Sequence, residues 1–97
     1  MFEIEFTPEA RDDLRMLKKN EQVEVIAAVQ VQLQHEPTVE TRNRKRLRPN
    51  EVAEWELRVG KFRVLYNVMV DPQTVRIEVI GFKIGNVLFV RGKRREL

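Results

Sequence analysis

Phe2, Ile4 and Phe6 alternate with Glu3 and Glu5, the two-residue period of a half-buried strand. Thr7-Pro8-Glu9 follows. Thr is a favoured N-cap, Pro suits the first helical position, and an acid suits the first turn, so a helix is predicted from Pro8. Ala10, Leu14 and Leu17 share one face of it, and Asn20 marks its stop. A second helix is predicted over 21–35, from Glu21 to His35, with Ile26, Val29 and Leu33 on its inner stripe. Pro37 ends it, because the residue before a proline is pushed out of the helical region. So short a connection predicts an antiparallel helical hairpin.

Alternation returns further on. Trp55, Leu57 and Val59 interleave with Glu54, Glu56 and Arg58. Gly60-Lys61 is the turn into Phe62, Val64, Tyr66, Val68 and Val70. Asp71-Pro72-Gln73-Thr74 has turn composition, and Val75, Ile77 and Val79 form a further strand. Leu88-Phe89-Val90 fits a last strand or a helical turn equally well. The pattern predicts an α+β fold of order β-α-α-β-β-β plus a tail, with the helical hairpin on one face of a small antiparallel sheet, as one domain over 1–97.

Composition narrows the chemistry. The chain has 97 residues, 42% of them hydrophobic, which suits one modest core. It has no cysteine and a single histidine, His35, so no metal site and no cofactor are expected. His35 reads as a capping or surface residue at the end of the second helix. No apolar run reaches the length of a membrane span, and the charged start is unlike a signal peptide, so a cytoplasmic protein is expected.

Eighteen Lys and Arg face fifteen Asp and Glu, a net charge of +3. Distribution matters more than the sum. Arg42 to Arg48 and Arg91 to Arg95 are basic blocks. Clustered cations attract polyphosphates by counterion release, or else form a solvated loop and tail. Trp55, Phe62 and Tyr66 suggest base stacking, but their parity with Leu57, Val64 and Val68 places them in the core.

The segment Leu57-Arg58-Val59-Gly60-Lys61-Phe62-Arg63-Val64-Leu65-Tyr66, within this element order, resembles the hairpin of the RelE/ParE toxin superfamily. Arg44-Lys45-Arg46-Leu47 resembles the basic stretch before that hairpin, and Gly81-Phe82-Lys83 resembles a Gly-His/Lys-Arg segment after it. The resemblance implies the toxin of a type II toxin–antitoxin system, held inactive by a cognate antitoxin. RelE-like members cleave messenger RNA, often in the ribosome. ParE-like members inhibit DNA gyrase without catalysis. A degenerate module that keeps the fold alone is a third reading.

On the nuclease reading the resemblance implies that Arg63 stabilises the scissile phosphate, with Arg58 and Lys83 assisting. Arg63 would otherwise pair with Glu54 or Glu56, and Arg58 would brace the hairpin. Glu54 or Glu56 is the candidate base, where the ribosome-dependent members have lysines. Phe89 stands where they have a tyrosine for proton transfer. Arg44, Lys45, Arg46, Arg48 and Lys61 are the candidate RNA contacts. An antitoxin segment would lie along the sheet and neutralise the basic blocks.

Overall fold

The computed structural model describes residues 1–97. The first strand, β1 (Glu3–Phe6), feeds directly into α1 (Pro8–Arg15). Thr7 makes that junction: its Oγ1 accepts the Ala10 N–H at 3.1 Å and donates to the Glu78 carbonyl at 3.0 Å. One side chain thus caps the helix and pins it to the sheet.

The first helix ends earlier than its apolar spacing suggests. The Met16 and Leu17 N–H groups bond the carbonyls of Asp13 and Leu14, three residues back, which tightens and closes the last turn. Lys18 is extended, and its N–H donates to Glu21 Oε1 at 3.0 Å. That carboxylate satisfies a helix-start donor, so α2 (Lys19–Leu33) begins before Glu21, and Asn20 lies inside it. His35 falls beyond the last turn. The buried stripe is Val25, Val29 and Leu33, with Ile26 half-buried at its flank.

Seven strands form one sheet. Its path is β2 (Arg44–Arg46), β3 (Trp55–Val59), β4 (Phe62–Val70), β5 (Gln73–Ile84), β6 (Val87–Val90) and β7 (Lys93–Arg95). The predicted meander is β3 to β5. β5 runs on past Ile80, and Leu88-Phe89-Val90 is a strand. Both basic blocks contribute edge strands, where charge discourages pairing with other chains. β1 joins the sheet in parallel with the first half of β5, while β6 pairs antiparallel with its last residues.

A bulge separates the two halves of β5. Leu65 pairs with Val79 and Tyr66 with Ile77, leaving Glu78 as an extra residue. The bulge changes the alternation, so Val75, Ile77 and Ile80 all join the layer beneath the helices, while Val79 joins the opposite face. Asn67 Nδ2 holds the Glu78 carboxylate at 2.9 Å.

The main core lies between helices and sheet and includes Ala10, Val25, Leu33, Leu57, Val64 and Ile77. Each buried Val, Leu or Ile side chain among them contributes on the order of 1.5–3 kcal/mol. Trp55, Phe62 and Tyr66 belong to this core. The Tyr66 hydroxyl donates to the Pro37 carbonyl at 2.6 Å, and burial pushes its phenol pKa up against the opposing field of Arg44. A second cluster of Ala53, Leu65, Val79, Leu88 and Val90 occupies the opposite face, with Leu47, Val52 and Leu97 packed on it. The sheet curls around this cluster far enough for Arg48 Nη2 to meet the Leu97 carbonyl at 3.5 Å, joining its two ends.

Asp13 ties the helical layer to that curl. Its buried carboxylate accepts the Ile80 N–H at 3.1 Å and meets Arg91 Nε at 3.0 Å. Desolvation pushes its pKa above the ordinary carboxylate range, opposed by Ile80 and Arg91. No helix is long and apolar enough to cross a membrane.

Candidate nucleic-acid interface

The curl encloses a cavity of about 570 Å³ on the face away from the helices. Lys45, Arg46 and Arg48 form one wall, Arg94 and Arg95 the other, and Lys83 rises from β5 between them. Leu47 and Leu88 line it from the second apolar cluster. Six cationic residues thus share the lining with Glu56 and Glu96, although the Arg46 guanidinium turns aside, 5.8 Å from the Trp55 ring centroid. Cations held on opposing walls focus a positive field into the space between them, which favours a polyanion.

Strand parity explains Lys45, Glu56, Lys83 and Arg95, whereas Arg46 and Arg94 pair with Trp55 and Phe89, residues of the other parity, and reach the cavity from the sheet edges. Lys45 pairs with Glu56 across β2 and β3, and Lys83 pairs with Leu88 across β5 and β6. Leu88 in turn faces Arg95 across β6 and β7. Two of the proposed RNA contacts lie elsewhere. Arg44 donates to the carbonyls of Gln32 at 2.6 Å and Val39 at 2.9 Å, so it fastens the end of α2 to the edge of the sheet. Lys61 meets Glu21 at 3.6 Å and sits over the Phe62 ring at 5.3 Å. Arg94, Arg95 and Asn86 were not among the proposed contacts. The basic block at 91–95 was their sequence signal, but only pairing through β6 brings it to the cavity.

The two candidate bases separate cleanly. Glu54 is exposed and meets Arg46 at 3.7 Å, outside the cavity lining. Glu56 is 7% exposed, lines the cavity, and lies 3.8 Å from Arg63 Nε.

Arg63 is 8% exposed and does not line the cavity. Its Nη1 donates to the carbonyls of Gly60 at 2.7 Å and Phe62 at 2.8 Å. Its buried Nε has no hydrogen-bond partner. Desolvation pushes the guanidinium pKa down, Arg58 across the strand pair pushes the same way, and Glu56 opposes. It remains a cation near neutrality. Arg63, which the resemblance places at the scissile phosphate, here braces the turn and lies against Glu56, the carboxylate pairing that its sequence position also allows. Arg58, for which the sequence also allows a bracing role, is exposed. Phe89 stacks on Phe82 with ring centroids 5.6 Å apart and offers no proton.

Residues 4–82 match the family model described as the ParE toxin of the type II toxin–antitoxin system parDE. The chain also resembles a chain of the toxin–antitoxin complex RelBE2 from Mycobacterium tuberculosis, with a TM-score of 0.73 and 28% identity. That likeness covers 84% of this chain and 98% of the other. No curated protein matches the sequence. The family match stops before β6, so the wall carrying Arg94 and Arg95 lies outside it.

Proposed function

From the premise that the chain belongs to the ParE toxin family of type II toxin–antitoxin systems, we propose that it arrests translation in the cytoplasm by cleaving messenger RNA held in the basic cavity. The observation that carries this reading is the placement of Glu56, a nearly buried carboxylate in a cavity lined mainly by cationic residues and a few apolar ones. A phosphodiester chain would be drawn in by Lys45, Arg48, Arg94 and Arg95. Glu56 would take the proton of a 2′-hydroxyl. The freed oxygen would attack phosphorus, the bond to the 5′-oxygen would break, and a 2′,3′-cyclic phosphate would remain. Lys83 would stabilise charge on the phosphate and hand a proton to the departing 5′-oxygen. Arg63 would hold Glu56 from behind rather than touch the phosphate.

So sparse a set gains much of its rate from positioning, which ribosome-bound messenger RNA supplies. The structural neighbour comes from a toxin–antitoxin complex, which supports an antitoxin as the restraining partner. An acidic segment laid along the cavity would neutralise its walls.

A second reading has its own support. The matching family model is that of ParE, and Phe89 offers no proton donor. On that reading the same surface would bind DNA gyrase without chemistry. Primer extension on messenger RNA from a translation extract given the purified chain separates the two. New ends inside coding sequence, with cyclic phosphate termini, are expected. Intact messenger RNA together with inhibited DNA supercoiling would sink the cleavage reading.

A further inference from the structure

The turn between β6 and β7 has two residues, Arg91 and Gly92, with φ of 52° and 76°. A two-residue hairpin with both angles positive favours Asn, Asp or Gly at its first position, because a larger side chain there crowds the neighbouring carbonyl oxygen. Arg91 is therefore at odds with its local conformation, and a contact outside the hairpin accounts for it. Its guanidinium reaches Asp13 of α1, with Nε 3.0 Å from Oδ1 and Nη2 3.4 Å from Oδ2. Both carboxylate oxygens are engaged, so the pair fixes direction as well as distance. Asp13 is itself held in place: its side chain is 3% exposed, and Oδ2 also accepts the Ile80 N–H.

β7 has little else to hold it. It is three residues long, all exposed, and pairs with β6 alone. β6 pairs with β5 only from Phe82 to Ile84, so Val90 and the turn extend beyond that ladder. Past β7, Leu97 packs on the second apolar cluster. At the turn, Asp13 is the anchor. β7 carries Arg94 and Arg95 into the cavity lining, while Asp13 and Arg91 stand outside it. We propose that Asp13 and Arg91 are positioning residues for RNA binding: their ion pair clamps the β6–β7 hairpin to α1 and so holds Arg94 and Arg95 at the cavity, with neither clamp residue touching the ligand. This inference rests on the reading that the cavity takes RNA. Two cations that must be ordered at each binding event contribute less affinity than two already in place. The clamp serves bound substrate and transition state alike, so its loss raises KM and leaves kcat unchanged.

Asp13→Asn/Arg91→Gly removes the clamp and spares the fold. The asparagine oxygen still accepts the Ile80 N–H, and glycine suits the left-handed position. The melting temperature should therefore stay within about 5 °C of the unmodified chain. The binding probe is a fluorescein-labelled 2′-O-methyl oligouridylate, which has no free 2′-hydroxyl to cleave through. Its affinity should fall roughly tenfold, and the slope of log affinity against log salt should flatten by up to about 1.4, the share of two phosphate contacts on a single strand. KM for cleavage of unmodified RNA should rise by the same factor at constant kcat. Arg94→Ala/Arg95→Ala should show similar losses of affinity and slope. Adding the clamp substitutions to it should weaken binding no further, because the clamp acts through those two side chains. Arg91→Asn alone, which also suits the turn, repeats the test should the double variant fold poorly. Unchanged affinity and salt slope in folded clamp variants, beside a weakened Arg94→Ala/Arg95→Ala chain, would overturn the inference. A further loss on top of Arg94→Ala/Arg95→Ala would also overturn it, because Arg91 would then meet RNA directly. If Arg94→Ala/Arg95→Ala binds the probe like the unmodified chain, the cavity reading itself fails, and the clamp with it.

Discussion

Glu56→Gln is expected to lower RNA cleavage by about 100-fold to 10,000-fold, the usual contribution of a positioned general base. The amide keeps the shape of the carboxylate and removes its capacity to take a proton. Affinity for RNA should hold or rise slightly, because the substitution deletes one of the two negative charges in the cavity. Glu54→Gln is the matched control. Glu54 is exposed, meets Arg46 and stands outside the cavity, so its loss should leave the rate within roughly a factor of two. The cyclic phosphate yield of each variant checks the pair. Glu56→Gln also removes the carboxylate nearest the buried Arg63, so the melting curve must be recorded beside the rate. Full cleavage by a folded Glu56→Gln chain would remove Glu56 from the mechanism.

Gly81→Ala is expected to destabilise the fold by about 3 kcal/mol and to disable the cavity before the helices are disturbed. A Cβ at Gly81 would lie 2.5 Å from the Phe89 carbonyl oxygen and 3.1 Å from the Val90 side chain. The first contact is with backbone, which cannot rotate aside. Relief requires β6 to move off β5, and β6 holds β7 with Arg94 and Arg95. For a domain of this size the melting temperature should fall by roughly 15 °C. Hydrogen exchange should show the lost protection concentrated in β6 and β7. An unchanged melting temperature, with those strands still protected, would contradict the packing described at Gly81.

The elements with strong periodicity were legible in the sequence. Trp55, Leu57 and Val59 against Phe62, Val64 and Tyr66 gave the central hairpin and its inner face, because burial on one side imposes a strict two-residue period. Thr7 and Pro8 gave the start of α1. Other features depended on contacts that no local pattern encodes. β2 and β7 are three-residue strands of cations, held by pairing to their neighbours rather than by alternation. Leu65 alternates onto the face expected to be polar. It is 1% exposed because the curl builds a second cluster there. The parallel pairing of β1 with β5 and the bulge at Glu78 are likewise tertiary choices.

The site was legible in kind more than in membership. The basic blocks pointed to an anionic ligand, and Lys45, Arg46, Arg48 and Lys83 do line one cavity. Sequence left Glu54 and Glu56 equivalent, and the curl of the sheet separates them. Arg63 shows the limit most clearly. Parity assigns it to the cavity side of β4, but its side chain turns back to the carbonyls of Gly60 and Phe62. A rotamer choice of that kind follows from carbonyls that the folded hairpin brings within reach, which residue type and spacing do not reveal.

The most direct test is tightly controlled expression of the lone chain in a bacterium, with incorporation of labelled methionine and labelled thymidine followed separately. Methionine incorporation should fall first, with thymidine incorporation following only later. An early fall in thymidine incorporation while methionine incorporation holds would contradict translation arrest and identify DNA metabolism as the target.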